Sequence, residues 1–357
     1  MPQYKLGLFG GSFDPLHLGH LRTIAEASTL CSNVLLVLSV SDKRDSIPEN
    51  QRYRWLYEAT QHLGNVAIVV VHDDAETNDL YNWQAGARLI TQLAAETFPD
   101  AGPIDAVFCG DDYAAAHWEA LYPGATIVIT PRDQITSSAI RANPMANWDC
   151  LPKNVQPYYV KKVLITGGES TGKSTLTQNL ARYYNTVHLE EVGREISQRS
   201  GDTLRILASD YLEIVLAHKL KELELINHAN KVLFIDTDVV TTEFYANNFL
   251  NLPTNQCDFT LEQLSASIQH FNSYDLVLFL EPSVEFIDDG TRTGEIESNR
   301  SHYSQQLFSM HSTLPNMHII GGDYHQRFTA AVRLTNALLG EIDIGFTDTL
   351  GSHNPGQ

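Results

Sequence analysis

Residues 163–184 constrain the fold more than any other stretch. The apolar run Val163-Leu164-Ile165-Thr166 leads into Gly167-Gly168-Glu169-Ser170-Thr171-Gly172-Lys173-Ser174-Thr175, and an amphipathic segment follows to about Tyr184. This is GxxxxGK[ST] in a strand–loop–helix setting, and the spacing has a chemical reason. Backbone N–H groups of such a loop wrap a β-phosphate, Lys173 reaches the β- and γ-oxygens, and the Ser174 hydroxyl ligates Mg2+. Gly167 to Thr175 are therefore expected to bind ATP at the end of a parallel strand.

A second strand–turn–helix opens the chain. Leu6-Gly7-Leu8-Phe9 precedes Gly10-Gly11-Ser12-Phe13-Asp14-Pro15-Leu16-His17-Leu18-Gly19-His20, and the residues from Leu21 read as a helix. A glycine turn at a helix N-terminus turns backbone N–H groups towards an anion. His17 and His20, spaced i, i+3, fall on one side of that cradle. Each feature alone would suit a solvated loop. Together they predict a nucleotide site formed by Gly10, Gly11, Ser12, Phe13, His17 and His20.

Two such motifs about 150 residues apart fit a chain of 357 residues holding two domains. The formal charge of -19 leaves no broad basic field for nucleic acid or an anionic membrane, so polyphosphate must be held locally. Four scattered cysteines without a CxxC pair point to reduced thiols in a cytoplasm and away from zinc. No apolar run approaches the length of a membrane span, and the first strand begins too early for a signal peptide. A cytoplasmic protein is expected.

In residues 1–157, strands are predicted at Leu6–Phe9, Val34–Val40, Val66–Val71, Asp105–Cys109 and Thr126–Thr130. Helices are predicted at Leu21–Leu30, Gln51–Leu63 and Trp83–Thr97. Ligands of such sheets bind beyond the carboxyl ends of the strands. Gly110-Asp111-Asp112 follows one strand: it would approach a nucleotide and its ribose, or simply cap a helix. Ile135-Thr136-Ser137-Ser138-Ala139-Ile140-Arg141 joins hydroxyls to a guanidinium one turn on, which beside a phosphate makes a clamp. Trp83 could stack on a substrate ring or belong to the core. Arg52, with Lys43, Arg44 and Arg54, could meet a substrate phosphate or form a solvated helix face.

The breaker-rich seam Leu151–Pro157 places the boundary near residue 158. In residues 158–345, Val232–Asp236 is an apolar strand ending in carboxylates, which suits Asp236 for a metal and Asp238 for substrate. Thr186–Leu189 ends at Glu190-Glu191, with Arg194 close behind. Glu191 could take a proton from an attacking hydroxyl or cap a helix. After the strand Leu276–Leu280, the loop Asp288-Asp289-Gly290-Thr291-Arg292-Thr293-Gly294 and Arg300 suit a lid bringing charge to a transferring phosphoryl group. Residues 346–357 read as a disordered tail.

His17-Leu18-Gly19-His20 matches the HxGH signature of the nucleotidyltransferases, and Ile135–Arg141 matches their ISSTxxR signature with hydroxyl-preserving changes. Residues 4–145 resemble nicotinamide mononucleotide (NMN) adenylyltransferases. Residues 160–340 resemble the ribosylnicotinamide kinase half of the NadR-type bifunctional proteins, through the loop at 167–175, Glu191-Val192-Gly193-Arg194-Glu195, Phe234–Asp238 and Asp289–Arg292. The resemblance implies two three-layer α/β domains with mainly parallel sheets, a Rossmann-like nucleotidyltransferase followed by a P-loop kinase. It implies that nicotinamide riboside becomes NMN and then NAD, with ATP as co-substrate and Mg2+ as cofactor. His17, His20 and Arg141 would handle ATP phosphates, with Gly110, Asp111, Ser137 and Ser138 around them. Lys173, Glu191 and Arg292 would act in phosphoryl transfer, and Ser174 and Asp236 would hold the metal. The helix-turn-helix that makes some members repressors is expected to be lacking. A pair of enzymes for pantetheine or a nucleoside phosphate, or an NAD/ATP sensor with one silent half, stays open as a rival, and so does a homo-oligomer.

Overall fold

The alternation of apolar runs and amphipathic segments becomes two α/β units in the computed structural model, Met1–Tyr158 and Tyr159–Gln357. The structure describes residues 2–111, 114–131, 135–200, 206–249, 259–285 and 294–341.

The first unit holds β1 (Tyr4–Gly11), α1 (Leu18–Leu30), β2 (Cys31–Val40), α2 (Glu49–Thr60), β3 (Val66–His72) and α3 (Trp83–Thr97). It continues with β4 (Ala106–Cys109), α4 (Ala115–Leu121), β5 (Thr126–Ile129) and α5 (Ser137–Ala142). All strand pairs are parallel, in the order β3-β2-β1-β4-β5. Val34 to Leu38 are all buried because the central strands are covered on both faces. Leu6, Leu8, Leu35, Val37 and Val107 pack with Ala87 and Ala94 of α3 to form one core layer. Strand order reverses between β1 and β4, so the chain after β1 and after β4 opens onto one crevice.

After the short α6 (Gln156–Tyr159) come β6 (Lys161–Gly167), α7 (Lys173–Tyr183), β7 (His188–Leu189), α8 (Val192–Ser200), α9 (Ala208–Leu225) and β8 (Val232–Asp236). Then follow α10 (Val239–Phe249), α11 (Phe259–Phe271), β9 (Leu276–Leu280), α12 (Gly294–His311), β10 (Met317–Ile320) and α13 (Tyr324–Leu339). This sheet is also parallel, ordered β10-β9-β6-β8-β7, with β6 at its centre. A second core joins α8, α9, α10 and α11 through Ile196, Tyr211, Val215, Val240 and Leu261. The strand expected at Thr186–Leu189 shortens because the Thr186 hydroxyl donates to Val232 O at 2.6 Å and accepts from Asn230 N at 2.8 Å, drawing the chain off the ladder. No helix among the described residues is long and apolar enough to cross a membrane.

β6 ends on Gly167 at φ +140°, where a Cβ would stand 2.6 Å from Leu280 O. An alanine there meets both a disfavoured backbone conformation and fixed backbone. Gly167→Ala is expected to cost the second unit about 2–3 kcal/mol and to cripple its phosphate loop. Nucleotide binding by the first unit should persist. Urea unfolding and separate nucleotide-binding measurements on the two units check both halves of this expectation.

Candidate active sites

In the first unit the chain leaves β1 through Gly10, Gly11 and Ser12, and these residues line a cavity of about 550 Å3. His17 is the N-cap of α1. Its Nδ1 accepts from His20 N, and His20 Nδ1 accepts from His17 N, each at 3.3 Å. The two rings stack with centroids 3.6 Å apart. Because both Nδ1 atoms accept, both rings carry their proton on Nε2. Both histidines line the cavity, so the HxGH spacing builds a pair of aligned N–H donors at a helix N-terminus. A doubled donor of this kind stabilises negative charge growing on phosphate oxygens.

Arg141 also lines the cavity, together with Ser137, Ser138 and Gly110. Its Nη1 donates to Asp14 O and lies 3.5 Å from Asp14 Oδ2, and its Nη2 donates to Ser138 Oγ at 3.3 Å. Ser137 Oγ donates to Pro15 O at 3.2 Å, so the second signature is laced to the first. Thr136 caps α5 through its hydroxyl. Asp111 is exposed beyond Gly110 and is not among the cavity-lining residues. Trp83 begins α3 on the cavity wall, edge-on to Tyr81 at 5.0 Å and Trp118 at 5.8 Å. It therefore belongs to an aromatic wall and borders the ligand space at once.

One expectation for this unit is corrected, and another is narrowed. The Phe13 side chain is fully buried, with its ring 4.8 Å from His20, so it packs against the histidine and leaves only the Phe13 backbone for the phosphate turn. Arg52 is 1% exposed and is consumed internally. Its guanidinium donates to Ile47 O, Ser12 O and Ser39 O and pairs with Asp45 at 2.7 Å. It braces the phosphate turn and is not available to a substrate. Arg44, paired with Asp73, is the member of that basic group that reaches the cavity, where Arg22 of α1 joins it.

The residue that sequence reasoning missed here is Asp14. Its buried carboxylate accepts from Ser46 N, Ser46 Oγ and Ile47 N at 3.0 Å each, while Arg141 sits against it. A carboxylate beside a proline in a glycine-rich turn was the available signal. Its partners lie more than thirty residues away, so nothing local announced them.

In the second unit, positive φ at Gly167, Ser170 and Gly172 curls the loop so that Gly172 caps α7. Lys173 Nζ donates to Gly168 O at 2.9 Å, and Thr171 Oγ1 donates to the same carbonyl at 2.8 Å. Thr175 is exposed one residue beyond Ser174. The Ser174 hydroxyl accepts from Arg194 Nη2 at 3.0 Å and acts on the Asp236 carboxyl at the end of β8. Glu191 Oε2 is 3.9 Å from Arg194. Burial, helped by the charge of Glu169, pushes the Glu191 carboxyl up to about 7 against the pull of Lys173 and Arg194. Burial likewise raises Asp236, which Lys173 and the Ser174 hydroxyl oppose. A desolvated carboxylate beside a hydroxyl at a phosphate loop suits a hard divalent cation that keeps waters and phosphate oxygens as its other ligands. No cluster of three or more His, Cys, Asp or Glu that could hold a metal occurs among the described residues.

Two further expectations are corrected. Arg300 donates to Glu169 O, Ser170 O and Val284 O at 2.9–3.3 Å, so it braces the outer wall of the loop. Asp238 is 2% exposed. Its Oδ1 takes hydrogen bonds from His311 Nε2 at 3.0 Å, Thr241 N and Thr241 Oγ1. Burial works against its ionisation, yet His311 holds it below the ordinary carboxylate range. It anchors α12 to α10 and does not bind substrate. Arg292 and the rest of the expected lid loop from 288 to 293 lie outside the described residues, as does the tail. Arg327 was missed altogether: it is 2% exposed and donates to Thr171 O, Gly322 O and Glu281 O. A lone arginine inside an amphipathic helix carries no local sign of that role.

Two nucleotide-phosphate sites, one per parallel sheet, define a two-domain nucleotide-handling enzyme. The chain belongs to the cytidylyltransferase-like family, whose model matches residues 8–214, and an AAA domain model matches residues 162–327. It is 29% identical to the trifunctional NAD biosynthesis/regulator protein NadR of Salmonella typhimurium, over 95% of this chain and 84% of that protein. A crystal structure of NadR in complex with NR aligns with TM-score 0.77 and 26% identity, over 95% of this chain and 97% of that one. A NadR structure in complex with NAD and AMP-PNP aligns with TM-score 0.74 and 25% identity, over 96% and 98%.

Proposed function

We propose that this chain is a two-site enzyme of NAD salvage. The second unit phosphorylates nicotinamide riboside with Mg-ATP, and the first unit joins the resulting NMN to the AMP part of ATP. The observation that carries this reading is the coexistence, on one chain similar to NadR over 95% of its length, of a complete HxGH donor pair and a complete phosphate loop. A sensor with one silent half would have no use for both.

In the second unit, Glu191 accepts the proton of the riboside 5′-hydroxyl as its oxygen attacks the γ-phosphorus of ATP and ADP departs. Lys173 and the loop N–H groups stabilise the charge on the transferred group, and Ser174 and Asp236 would hold Mg2+. That ion would neutralise the phosphate oxygens. In the first unit, an NMN phosphate oxygen attacks the α-phosphorus of ATP in line, and the α–β bridging bond breaks to release pyrophosphate. No enzyme-bound intermediate forms. His17 and His20 supply Nε2–H donors to the phosphates, Arg141 and Ser138 hold the same group, and Gly110 admits the nucleotide close to the backbone. Trp83 offers a ring edge or face to the nicotinamide.

Purified protein given Mg-ATP and nicotinamide riboside should yield NMN, NAD, ADP and pyrophosphate. Appearance of neither NMN nor NAD, with turnover of phosphopantetheine or another nucleoside instead, would sink the reading.

A further inference from the structure

We infer that Asp14 is a positioning residue for adenylyl transfer: its carboxylate fixes the Arg141 guanidinium and ties the loop after β2 to the phosphate turn. The inference rests on the reading of Arg141 as a ligand of the ATP phosphates. Asp14 lines the cavity yet is only 2% exposed. A carboxylate in a cavity for polyphosphate repels that ligand, so its place there calls for a compensating role.

The groups that it holds come from two distant segments. Ser46 N donates to Oδ2 and Ile47 N to Oδ1, each at 3.0 Å, and Ser46 Oγ stands 3.0 Å from both oxygens. Arg141 Nη1 lies 3.5 Å from Oδ2 and donates to the backbone carbonyl of Asp14 itself. A carboxylate offers about four acceptor positions, and this one is taken up by three protein donors and a guanidinium. Little is left for a substrate or a metal.

Arg141 needs such a hold. Its side chain is 36% exposed, and an arginine left to itself samples many rotamers. Asp14 engages Nη1 through its carbonyl and its carboxylate, while Ser138 Oγ takes Nη2 at 3.3 Å, so the plane of the fork is set from two sides. Charge aligned in advance acts on a transition state without reorganising during the reaction. The loop after β2 has further braces. Asp45 accepts from Ser41 N at 2.6 Å and pairs with Arg52, and Arg44 pairs with Asp73. Loss of the Asp14 charge should therefore disturb the Arg141 side of the cavity more than the Arg44 side.

Asp14→Asn keeps the shape, removes the charge and sets an amide N–H2 against one of the donors. It should lower kcat/KM for ATP in adenylyl transfer by about 30-fold and change KM for NMN by less than about threefold. Arg141→Met should cost about 100-fold alone, and in that background Asp14→Asn should cost less than about threefold more. Ser46→Ala takes one donor from the same carboxylate and leaves Arg141 in place. It should lower the urea midpoint and keep kcat/KM within about twofold of the wild type. Should Asp14→Asn fail to fold, Arg141→Lys decides. It keeps the charge without the planar fork that meets Asp14, and should lose at least about tenfold. An Asp14→Asn effect that is absent, or undiminished in Arg141→Met, overturns the inference, as does full activity in Arg141→Lys. A loss in Ser46→Ala equal to that in Asp14→Asn also overturns it, by assigning Asp14 to holding the loop alone. Full activity in Arg141→Met overturns instead the reading of Arg141 beneath it.

Discussion

Lys173→Ala should abolish NMN formation from nicotinamide riboside while NAD formation from supplied NMN continues, and His20→Ala should give the reverse pattern. Each loss is expected to be on the order of 10²–10³-fold or more in kcat, the usual effect of deleting one donor aimed at developing charge. The loop should survive the first change. Thr171 Oγ1 still holds Gly168 O, and Arg327 still holds Thr171 O, so removal of Lys173 takes away a charge without uncurling the backbone. The second change is less contained. His17 loses its stacked neighbour, and its backbone N–H loses the His20 Nδ1 acceptor, so both donors of the pair are affected by one substitution. The damage should still end within the first unit, because the pair sits at the start of α1 and packs on Phe9 and Phe13 of Met1–Tyr158. Product analysis by chromatography with each substrate supplied separately decides the matter. Loss of both activities from a folded variant of either kind would mean that the sites are not independent.

How far the sequence announced these sites follows from how local their causes are. β8 and β9 were legible to the residue, since Val232–Asp236 and Leu276–Leu280 are short apolar runs buried on both faces. α3 was equally legible, at Trp83–Thr97, and the structure adds its Asn82 cap. β10 was not, because it is an edge strand with a histidine and a 54%-exposed Ile319, which blurs the apolar run. α4 was missed for a related reason: its seven residues bury none of their side chains fully. Among site residues, those acting through backbone geometry or one-turn spacing could be read directly, as with the His17–His20 box and the loop of Gly167–Ser174. Basic side chains were misread wherever the outcome depended on distant carbonyls. Arg52 and Arg300 have charges that would suit phosphate, but each meets backbone oxygens brought from other segments by the fold. A buried guanidinium needs several acceptors, and only tertiary structure says where they come from. Asp238 was misread in the same way, because the His311 that claims it lies at the far end of α12.

Glu191→Gln should lower the kinase kcat by 10²–10⁴-fold and remove the acid limb of its pH profile. Whether Glu191 is a base or a helix cap could not be read from the sequence. Its environment now favours the base. Burial and Glu169 push its carboxyl up to about 7, whereas stabilisation of its charge by helix N–H groups would lower it. The sign of the pH effect follows directly. Below pH 7 the carboxyl carries its proton and cannot accept another, so kcat/KM for ATP, which reports the enzyme before nucleotide binds, should rise tenfold per pH unit and level off above 7. In the ternary complex the added cation favours the carboxylate, so the limb in kcat should lie at lower pH than the limb in kcat/KM. Stability should run the opposite way. A carboxyl raised in the folded state binds its proton more tightly than in the unfolded chain, so its contribution is present at acid pH and fades as pH rises through about 7. Glu191→Gln should therefore unfold at higher temperature than the wild type above pH 7, in the absence of metal and nucleotide, and show little advantage near pH 4. An enzyme that loses rate yet gains stability at the same substitution has a group held for chemistry. A variant that loses both, or that keeps the acid limb, would assign Glu191 to holding α8 and leave Asp236 as the carboxylate positioned to take the proton.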